Sequence, residues 1–198
     1  MSKEFVETIK VIDGAAPYIA YHQARMDRTA ARFFPNAVLM PLEECSNAFR
    51  APGLNKLRVV YGPSGIVKVE CTPYALRSIK TLKVVDGGDI DYTFKSTDRT
   101  RLNQLSALKG DCDDVIITRH GLLTDTSFTN LAISDGQKWL TPTSPLLCGT
   151  KRAYLIERGL IQEADITVSD LMAAPRIRLF NAMIEFGEVE VEREEVVL

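Results

Sequence analysis

Thr124-Asp125-Thr126-Ser127-Phe128-Thr129-Asn130-Leu131 is a polar stretch that lies between two apolar runs in the second half of the chain. It contains one acid, several small hydroxyl side chains, and an asparagine five places after the acid. The flanking runs are short and apolar, which predicts two strands joined by this stretch. We therefore expect its polar side chains to lie where a rigid sheet can hold functional groups.

Two further polar stretches lie on either side of this one. A lysine stands in Phe94-Lys95-Ser96-Thr97-Asp98-Arg99, and a glycine precedes a predicted helix in Leu147-Cys148-Gly149-Thr150-Lys151-Arg152. Backbone amides at a helix start bind anions, and glycine lets an anion approach them closely. The chain thus offers an amine, a carboxylate and an anion-sized turn, in that order.

The composition is that of a folded protein with no unusual charge. The chain has 198 residues, of which 45% are hydrophobic and 25% charged, and its formal net charge is −2. This charge does not favour nucleic acid or anionic lipid, and no apolar run is long enough to span a bilayer. Four scattered cysteines and the lack of a signal peptide after Met1 predict a cytoplasmic protein. With two histidines, no metal site is predicted.

The order of predicted elements indicates an α+β fold with two domains. Residues 1–76 are expected to form a small domain, with a strand at 5–12, a hairpin partner at 18–20 and a helix at 21–34. Residues 77–198 are expected to form a larger domain whose short strands and tight turns predict a closed or nearly closed, barrel-like sheet with helices. Its last strands are predicted at 160–168, 176–180 and 188–196.

Taken together, these motifs resemble the class IV aminotransferase family, the fold type IV pyridoxal-phosphate (PLP) enzymes. That family includes branched-chain and D-amino acid aminotransferases and aminodeoxychorismate lyase, and the resemblance extends from Phe5 to Val189. The family pattern is an acid, a small residue two places on and an asparagine five places on, which Asp125, Ser127 and Asn130 match. The family usually has glutamate where this chain has Asp125.

The resemblance implies that PLP is the cofactor and that Lys95 forms its Schiff base. A lysine suits this role because its amine condenses with an aldehyde and can later move a proton. Asp125 resembles the acid that faces the pyridine nitrogen and keeps the ring protonated. The plainer alternatives are a solvated surface lysine at position 95 and a turn-capping aspartate at position 125.

Other residues are assigned to the cofactor by the same resemblance. Gly149, Thr150 and Lys151 resemble the phosphate turn, although the family usually has isoleucine and threonine after the glycine. Arg25 in His22-x-x-Arg25 resembles the arginine that binds the phosphate, and the alternative is a solvated arginine face on the helix. The full implied set of cofactor-binding residues is Arg25, Lys95, Asp125, Asn130, Gly149, Thr150, Lys151, Asn181 and Ala182.

Two positions bear on which reaction the chain catalyses. Lys95-x-x-x-Arg99 resembles the lyase branch, and Asn181-Ala182 lies where lyases often carry an Asn-Ala-Leu-like run. The expected activity is therefore that of 4-amino-4-deoxychorismate lyase, with an amino acid aminotransferase as the alternative. Arg99, Arg101 and Lys151 are candidates for binding the carboxylates of the small amine substrate.

The resemblance also implies partners. Family members are typically homodimers, so we expect a homodimer that binds neither nucleic acid nor membrane. Because the chain starts almost directly at Phe5, the small domain is expected to lack a segment that often borders the substrate pocket. A family member that binds the cofactor without turnover is the remaining alternative, and it would be expected to lack Lys95 or the phosphate turn.

Overall fold

Two units, each with its own hydrophobic core, make up the chain. The structure is a computed structural model and describes residues 3–198. The first unit contains residues up to Leu76 together with Phe94–Asp98, and the second contains Arg77–Thr93 and Arg99–Leu198. Within residues 3–198, none of the helices combines the length and the apolar character needed to cross a membrane.

The first unit is a three-stranded antiparallel sheet with two helices. Its elements in chain order are β1 (Phe5–Ile12), α1 (Ile19–Phe33), α2 (Leu42–Asn47), β2 (Leu54–Gly62) and β3 (Gly65–Pro73). The sheet order is β1-β2-β3, so β2 is central. The β2–β3 hairpin closes through Pro63 and Ser64, and Gly65 has φ +100, a backbone conformation that favours glycine.

The predicted hairpin partner at residues 18–20 is wrong, because α1 already begins at Ile19. The chain does turn back after β1, since Ile12 and Ala15 exchange backbone hydrogen bonds of 2.8 and 2.9 Å. That pairing is a single bridge, and β1 pairs along its length with β2 instead. Helix α1 therefore begins two residues before the predicted start at Tyr21.

An aromatic cluster holds the segment Phe94–Asp98 on the first unit. The ring of Phe94 lies 4.7 Å from that of Phe33 and 6.3 Å from that of Phe5, centroid to centroid. The backbone of the segment also pairs with β1, because the Val6 amide donates to the Lys95 carbonyl over 3.0 Å. The polar residues around Lys95 are thus fixed along β1 rather than left in a free loop.

The second unit contains two open sheets. Its elements are β4 (Leu82–Asp86), α3 (Thr100–Ser106), β5 (Asp114–Arg119), β6 (Leu122–Thr126), β7 (Asn130–Ser134), β8 (Trp139–Pro142), α4 (Thr150–Glu157), β9 (Gln162–Ala164), α5 (Val168–Ala173), β10 (Arg176–Phe180), β11 (Val189–Glu192) and β12 (Val196–Val197). Short 3₁₀ helices follow α3 and β11. The four-stranded sheet has the order β12-β4-β5-β6, and the five-stranded sheet has the order β11-β10-β7-β8-β9.

The mixed α/β fold is confirmed, but the expected closed, barrel-like sheet is not present among residues 3–198. The chain changes sheets between β6 and β7, at the turn 126–129. The Thr126 hydroxyl accepts hydrogen bonds from the amides of Phe128 and Thr129, which holds this turn. Two sheets therefore meet at the polar stretch, and its residues end one strand and begin the next.

Two of the three predicted C-terminal strands are shorter than predicted. Within the expected strand at 160–168, the named strand covers only Gln162–Ala164, and α5 begins at Val168. Thr167 and Asp170 form a capping box at the start of α5, a local signal that the apolar pattern masked. The expected strand at 188–196 is divided into β11 and β12 by a 3₁₀ turn, and the two pieces join different sheets.

Candidate active site

Asp125 is a buried carboxylate near the end of β6, with 5% of its surface exposed. Its Oδ1 accepts a hydrogen bond of 2.8 Å from Asn130 Nδ2, and its Oδ2 accepts one of 2.8 Å from the Leu147 amide. Burial raises the pKa of Asp125 to about 7, although these hydrogen bonds and the charge of Arg152 act in the opposite direction. The position therefore holds a carboxylate that can exchange its proton near neutral pH.

Asn130 connects this carboxylate to the glycine turn. Its Nδ2 donates both to Asp125 and, over 2.9 Å, to the Leu147 carbonyl. A Cβ at Gly149 would lie 2.0 Å from Asn130 Oδ1, closer than any real contact. Glycine is thus required at position 149 because the asparagine amide occupies the space that a side chain would need.

We predict that Gly149→Ala destabilises the protein by roughly 2 kcal/mol, because Asn130 must move and give up its hydrogen bonds to buried partners. Chemical denaturation of the purified variant measures this change. The matched control is the same substitution in an Asn130→Ala background, where the added methyl group has space. If Gly149→Ala costs as much stability in that background as in the wild type, the steric explanation is wrong.

The start of α4 carries three buried polar residues, Thr150, Lys151 and Arg152. Lys151 Nζ lies 2.5 Å from Glu185 Oε2, and Arg152 Nη2 lies 2.6 Å from Glu163 Oε1. The buried Nε of Arg152 has no hydrogen-bond partner. A helix start that follows a sterically required glycine, with two buried cations in its first turn, suits an anion of phosphate size. The residues present therefore fit the phosphate of a cofactor.

Asn181 organises a turn directly after β10. Its Oδ1 accepts hydrogen bonds from the amides of Met183 (2.8 Å) and Ile184 (3.1 Å), and its Nδ2 donates to the Phe128 carbonyl over 3.2 Å. Ala182 is half-buried within the same turn. This last hydrogen bond joins the turn that contains Asn181 and Ala182 to the polar stretch that contains Asp125.

The two candidate substrate arginines have different surroundings. Arg99 Nη2 donates to the Ser127 carbonyl over 2.7 Å, and its guanidinium lies 5.7 Å from the centre of the Tyr92 ring. Arg101 is exposed on α3 and donates to Gln104 over 3.2 Å. The structure therefore brings Arg99, but not Arg101, into contact with the polar stretch.

In the first unit, Arg25 is part of a buried ion-pair cluster that the sequence interpretation missed. Its Nε and Nη2 donate to the carboxylate of Glu7 over 2.9 and 2.5 Å, and His22 Nδ1 lies 2.6 Å from Glu7 Oε2. Burial raises the pKa of Glu7, but Arg25 and His22 outweigh it and lower the pKa to about 2. The sequence feature that could have indicated this cluster is Glu7, an acid inside the apolar strand β1.

We predict that Glu7→Gln destabilises the protein by roughly 3 kcal/mol, since it removes the negative charge that pairs with the buried Arg25 guanidinium. Because the folded pKa of Glu7 is lowered, its stabilising contribution is present above about pH 4.5 and is lost as the pH falls towards about 2. Urea denaturation at several pH values measures both effects. Glu70→Gln is the control, because Glu70 is a strand carboxylate that also pairs with cations but has 42% of its side chain exposed. Equal stability of both variants would contradict the prediction.

Lys95 also lies in the first unit, in the segment paired with β1. It is half-buried, and its charge contributes to a lowered pKa of His22, which burial lowers most strongly. Lys95 and the Glu7–Arg25–His22 cluster are therefore electrostatically linked. The other predicted cofactor residues belong to the second unit, where Asp125, Asn130 and Gly149 are joined by direct contacts.

Comparison with known proteins gives a consistent result. Residues 4–190 match the family model of the amino-transferase class IV proteins. A Haemophilus influenzae protein described as uncharacterized is 32% identical over 185 residues, which cover 89% of this chain and 96% of that protein.

Solved structures of two other proteins are similar to this chain. A Haemophilus somnus 129pt protein, provisionally assigned as a 4-amino-4-deoxychorismate lyase, has a TM-score of 0.82 and 36% identity over 93% of this chain and 98% of its own. The PLP-bound form of a hypothetical aminotransferase from Mycobacterium tuberculosis has a TM-score of 0.74 and covers 94% of this chain and 80% of its own. Its identity of 19% supports the fold alone. Because the family model spans nearly the whole chain, this protein belongs to the class IV aminotransferase family of PLP-dependent enzymes.

Proposed function

We propose that this enzyme is a 4-amino-4-deoxychorismate lyase that releases pyruvate and 4-aminobenzoate. The observation that supports the cofactor site of this enzyme is the buried Asp125–Asn130 pair, because the Asn130 amide oxygen leaves room only for glycine at position 149. This arrangement combines a carboxylate suited to a ring nitrogen with a helix start suited to a phosphate. The similarity to the H. somnus protein favours the lyase reaction over others of the family.

The proposal assigns a role to each predicted cofactor residue. Lys95 is the point of covalent attachment, Asp125 binds the pyridine nitrogen, and Asn130 fixes that carboxylate. The remaining ligands are assigned to the phosphate and its surroundings, and they are Arg25, Gly149, Thr150, Lys151, Asn181 and Ala182. When bound, PLP supplies an electron sink for the negative charge that develops at the substrate carbon.

Lys95 performs the proton transfers in this proposal. Its amine removes the proton from the amine-bearing carbon of the substrate, and the bond from the neighbouring ring carbon to the ether oxygen then breaks. The enolpyruvyl group leaves and takes up a proton to become pyruvate, while the remaining ring becomes the aromatic 4-aminobenzoate. Asp125 would face the pyridine nitrogen of bound PLP, and its carboxylate would favour the protonated form of that nitrogen.

Arg99 is the better of the two candidate residues for a substrate carboxylate. It is half-buried and contacts the carbonyl of Ser127, two residues from Asp125. Arg101 has an exposed neighbour on its own helix as its partner. A guanidinium held in place by one hydrogen bond retains donors for a carboxylate.

An amino acid aminotransferase is the second candidate, because residues 4–190 match the family model of the amino-transferase class IV proteins. Both reactions begin with the same proton removal by Lys95, so the cofactor residues do not distinguish them. They differ in product, because an aminotransferase releases a keto acid and needs a second keto acid to complete its cycle.

The test is an assay of the PLP-loaded enzyme with 4-amino-4-deoxychorismate generated in situ. The lyase proposal predicts equal amounts of pyruvate and 4-aminobenzoate, with no requirement for an added keto acid. A parallel screen supplies amino acids with 2-oxoglutarate or pyruvate as acceptor. No release of 4-aminobenzoate, together with acceptor-dependent turnover of an amino acid, would replace the lyase with the aminotransferase.

Assembly and location complete the proposal. We expect a homodimer, which light scattering of the purified enzyme tests through its molar mass. We also expect a cytoplasmic location, which fractionation of cells against periplasmic and membrane markers tests.

A further inference from the structure

The ammonium group of Lys151 lies in the first turn of α4, where the resemblance leads one to expect a threonine. It is almost completely buried, with 1% of its side chain exposed, and it lies 2.5 Å from Glu185. The ring of Tyr154, one turn further along α4, lies 5.8 Å from the same ammonium group. The Lys151 side chain is therefore engaged with protein groups of the second unit rather than extended into solvent.

Glu185 directly follows the turn that begins at Asn181 and starts the next turn. The amides and carbonyls of Asn181 and Ile184 are hydrogen-bonded to each other over 3.3 Å, and the Glu185 amide donates to Glu188 Oε2 over 2.7 Å. Residues 181–188 are thus two consecutive closed turns. The ion pair joins this segment to the start of α4 across 34 positions of sequence.

The two partners are buried to different extents. Lys151 is 1% exposed, whereas the side chain of Glu185 is 37% exposed. Removing the carboxylate therefore takes a negative charge away from a buried cation, while removing the ammonium leaves a carboxylate that water can reach. Loss of the carboxylate should be the more damaging change.

We propose that the Lys151–Glu185 ion pair is a positioning device that holds the phosphate turn at Gly149 and Thr150 in register with the Asn181–Ala182 turn. In this proposal the backbone of Lys151 contributes to phosphate binding, and its side chain pairs with Glu185. Both turns carry residues assigned to the cofactor, so this inference rests on the proposed function. Its opposite is a direct role, in which the Lys151 ammonium binds the phosphate and Glu185 competes for it.

The two roles predict opposite orders of effect, which titration of the apoenzyme with PLP measures as a dissociation constant. A positioning role predicts that Glu185→Gln weakens PLP binding by roughly tenfold or more, the effect of losing a charge-assisted hydrogen bond, and that Lys151→Met weakens it less. A direct role predicts that Lys151→Met causes the larger loss and that Glu185→Gln leaves binding unchanged or tighter. The second order would overturn the proposal.

Further variants make the test specific. Glu185→Asp keeps the charge but shortens the side chain, so it should also weaken PLP binding if position matters, and it serves if Glu185→Gln does not fold. Glu194→Gln removes an exposed carboxylate that also pairs with an arginine, and it should leave binding unchanged. Pyridoxal, which lacks the phosphate, should bind wild type and variants with similar affinity. Wild type that binds no PLP would instead contradict the proposed function itself.

Discussion

Lys95→Ala is expected to abolish turnover, with a loss of at least about 1,000-fold in kcat, while the protein remains folded and able to bind PLP. The amine of Lys95 is assigned both the covalent attachment of the cofactor and the proton transfers, and no shorter side chain supplies either. The phosphate ligands are not altered, so affinity for PLP should persist. The half-buried segment that carries Lys95 is held by backbone pairing with β1, which the substitution leaves in place.

Absorbance spectra and product assays measure this result. The wild type should have the visible absorbance of the lysine-linked cofactor, and Lys95→Ala should have the spectrum of free, non-covalently bound PLP. Lys80→Ala is the control, because Lys80 is exposed and not assigned to the site. A Lys95→Ala enzyme that retains substantial turnover would remove Lys95 from its assigned role.

Asp125→Asn is expected to lower kcat by about 100-fold or more, because the ring nitrogen loses the carboxylate that favours its protonated form. The same substitution should change how the stability of the apoenzyme depends on pH. Burial raises the folded pKa of Asp125 to about 7 from an ordinary value of 3.8, so the native state disfavours the ionised carboxylate. The stability associated with the neutral acid is fully present below about pH 4 and is lost as the pH rises through about 7.

The measurement compares wild type and Asp125→Asn apoenzymes by chemical denaturation at about pH 5 and about pH 8. The wild type should lose roughly 3 kcal/mol relative to the variant between these pH values, as an order of magnitude from the shift in pKa. Both partners of Asp125, Asn130 Nδ2 and the Leu147 amide, are donors, so the amide nitrogen of an asparagine at this position faces another donor. This lowers the stability of the variant by an amount that does not depend on pH. A stability difference that is the same at both pH values would show that Asp125 titrates normally.

The parts of the fold that the sequence predicted correctly depend on local patterns. The strand Phe5–Ile12 has an apolar run and a clear turn after it, and Arg176–Phe180 was predicted with the bounds that the structure has. The spacing of Asp125 and Asn130 places them on opposite sides of one turn, so their contact could be expected. The clash that requires Gly149 could not, since it depends on two segments that meet only after folding.

The features that sequence reasoning missed are pairings between distant residues. Glu7 meets Arg25 and His22 because β1 packs against α1, and Lys151 meets Glu185 because α4 packs near the end of β10. Charged residues are mostly exposed unless they are paired, so a charged residue is expected to be exposed when its partner is not known. The closed sheet was wrongly expected for a related reason, because a series of short strands does not reveal that the turn 126–129 divides them between two sheets.

The central claim is that this chain carries PLP on Lys95, and reduction of the loaded enzyme with borohydride tests it most directly. Reduction makes the link between lysine and cofactor permanent, and mass spectrometry of the proteolytic peptides then locates it. The account predicts one modified residue, Lys95, in the peptide that contains Phe94–Asp98. A chain without a reducible adduct, or an adduct on Lys151 instead, would contradict the account.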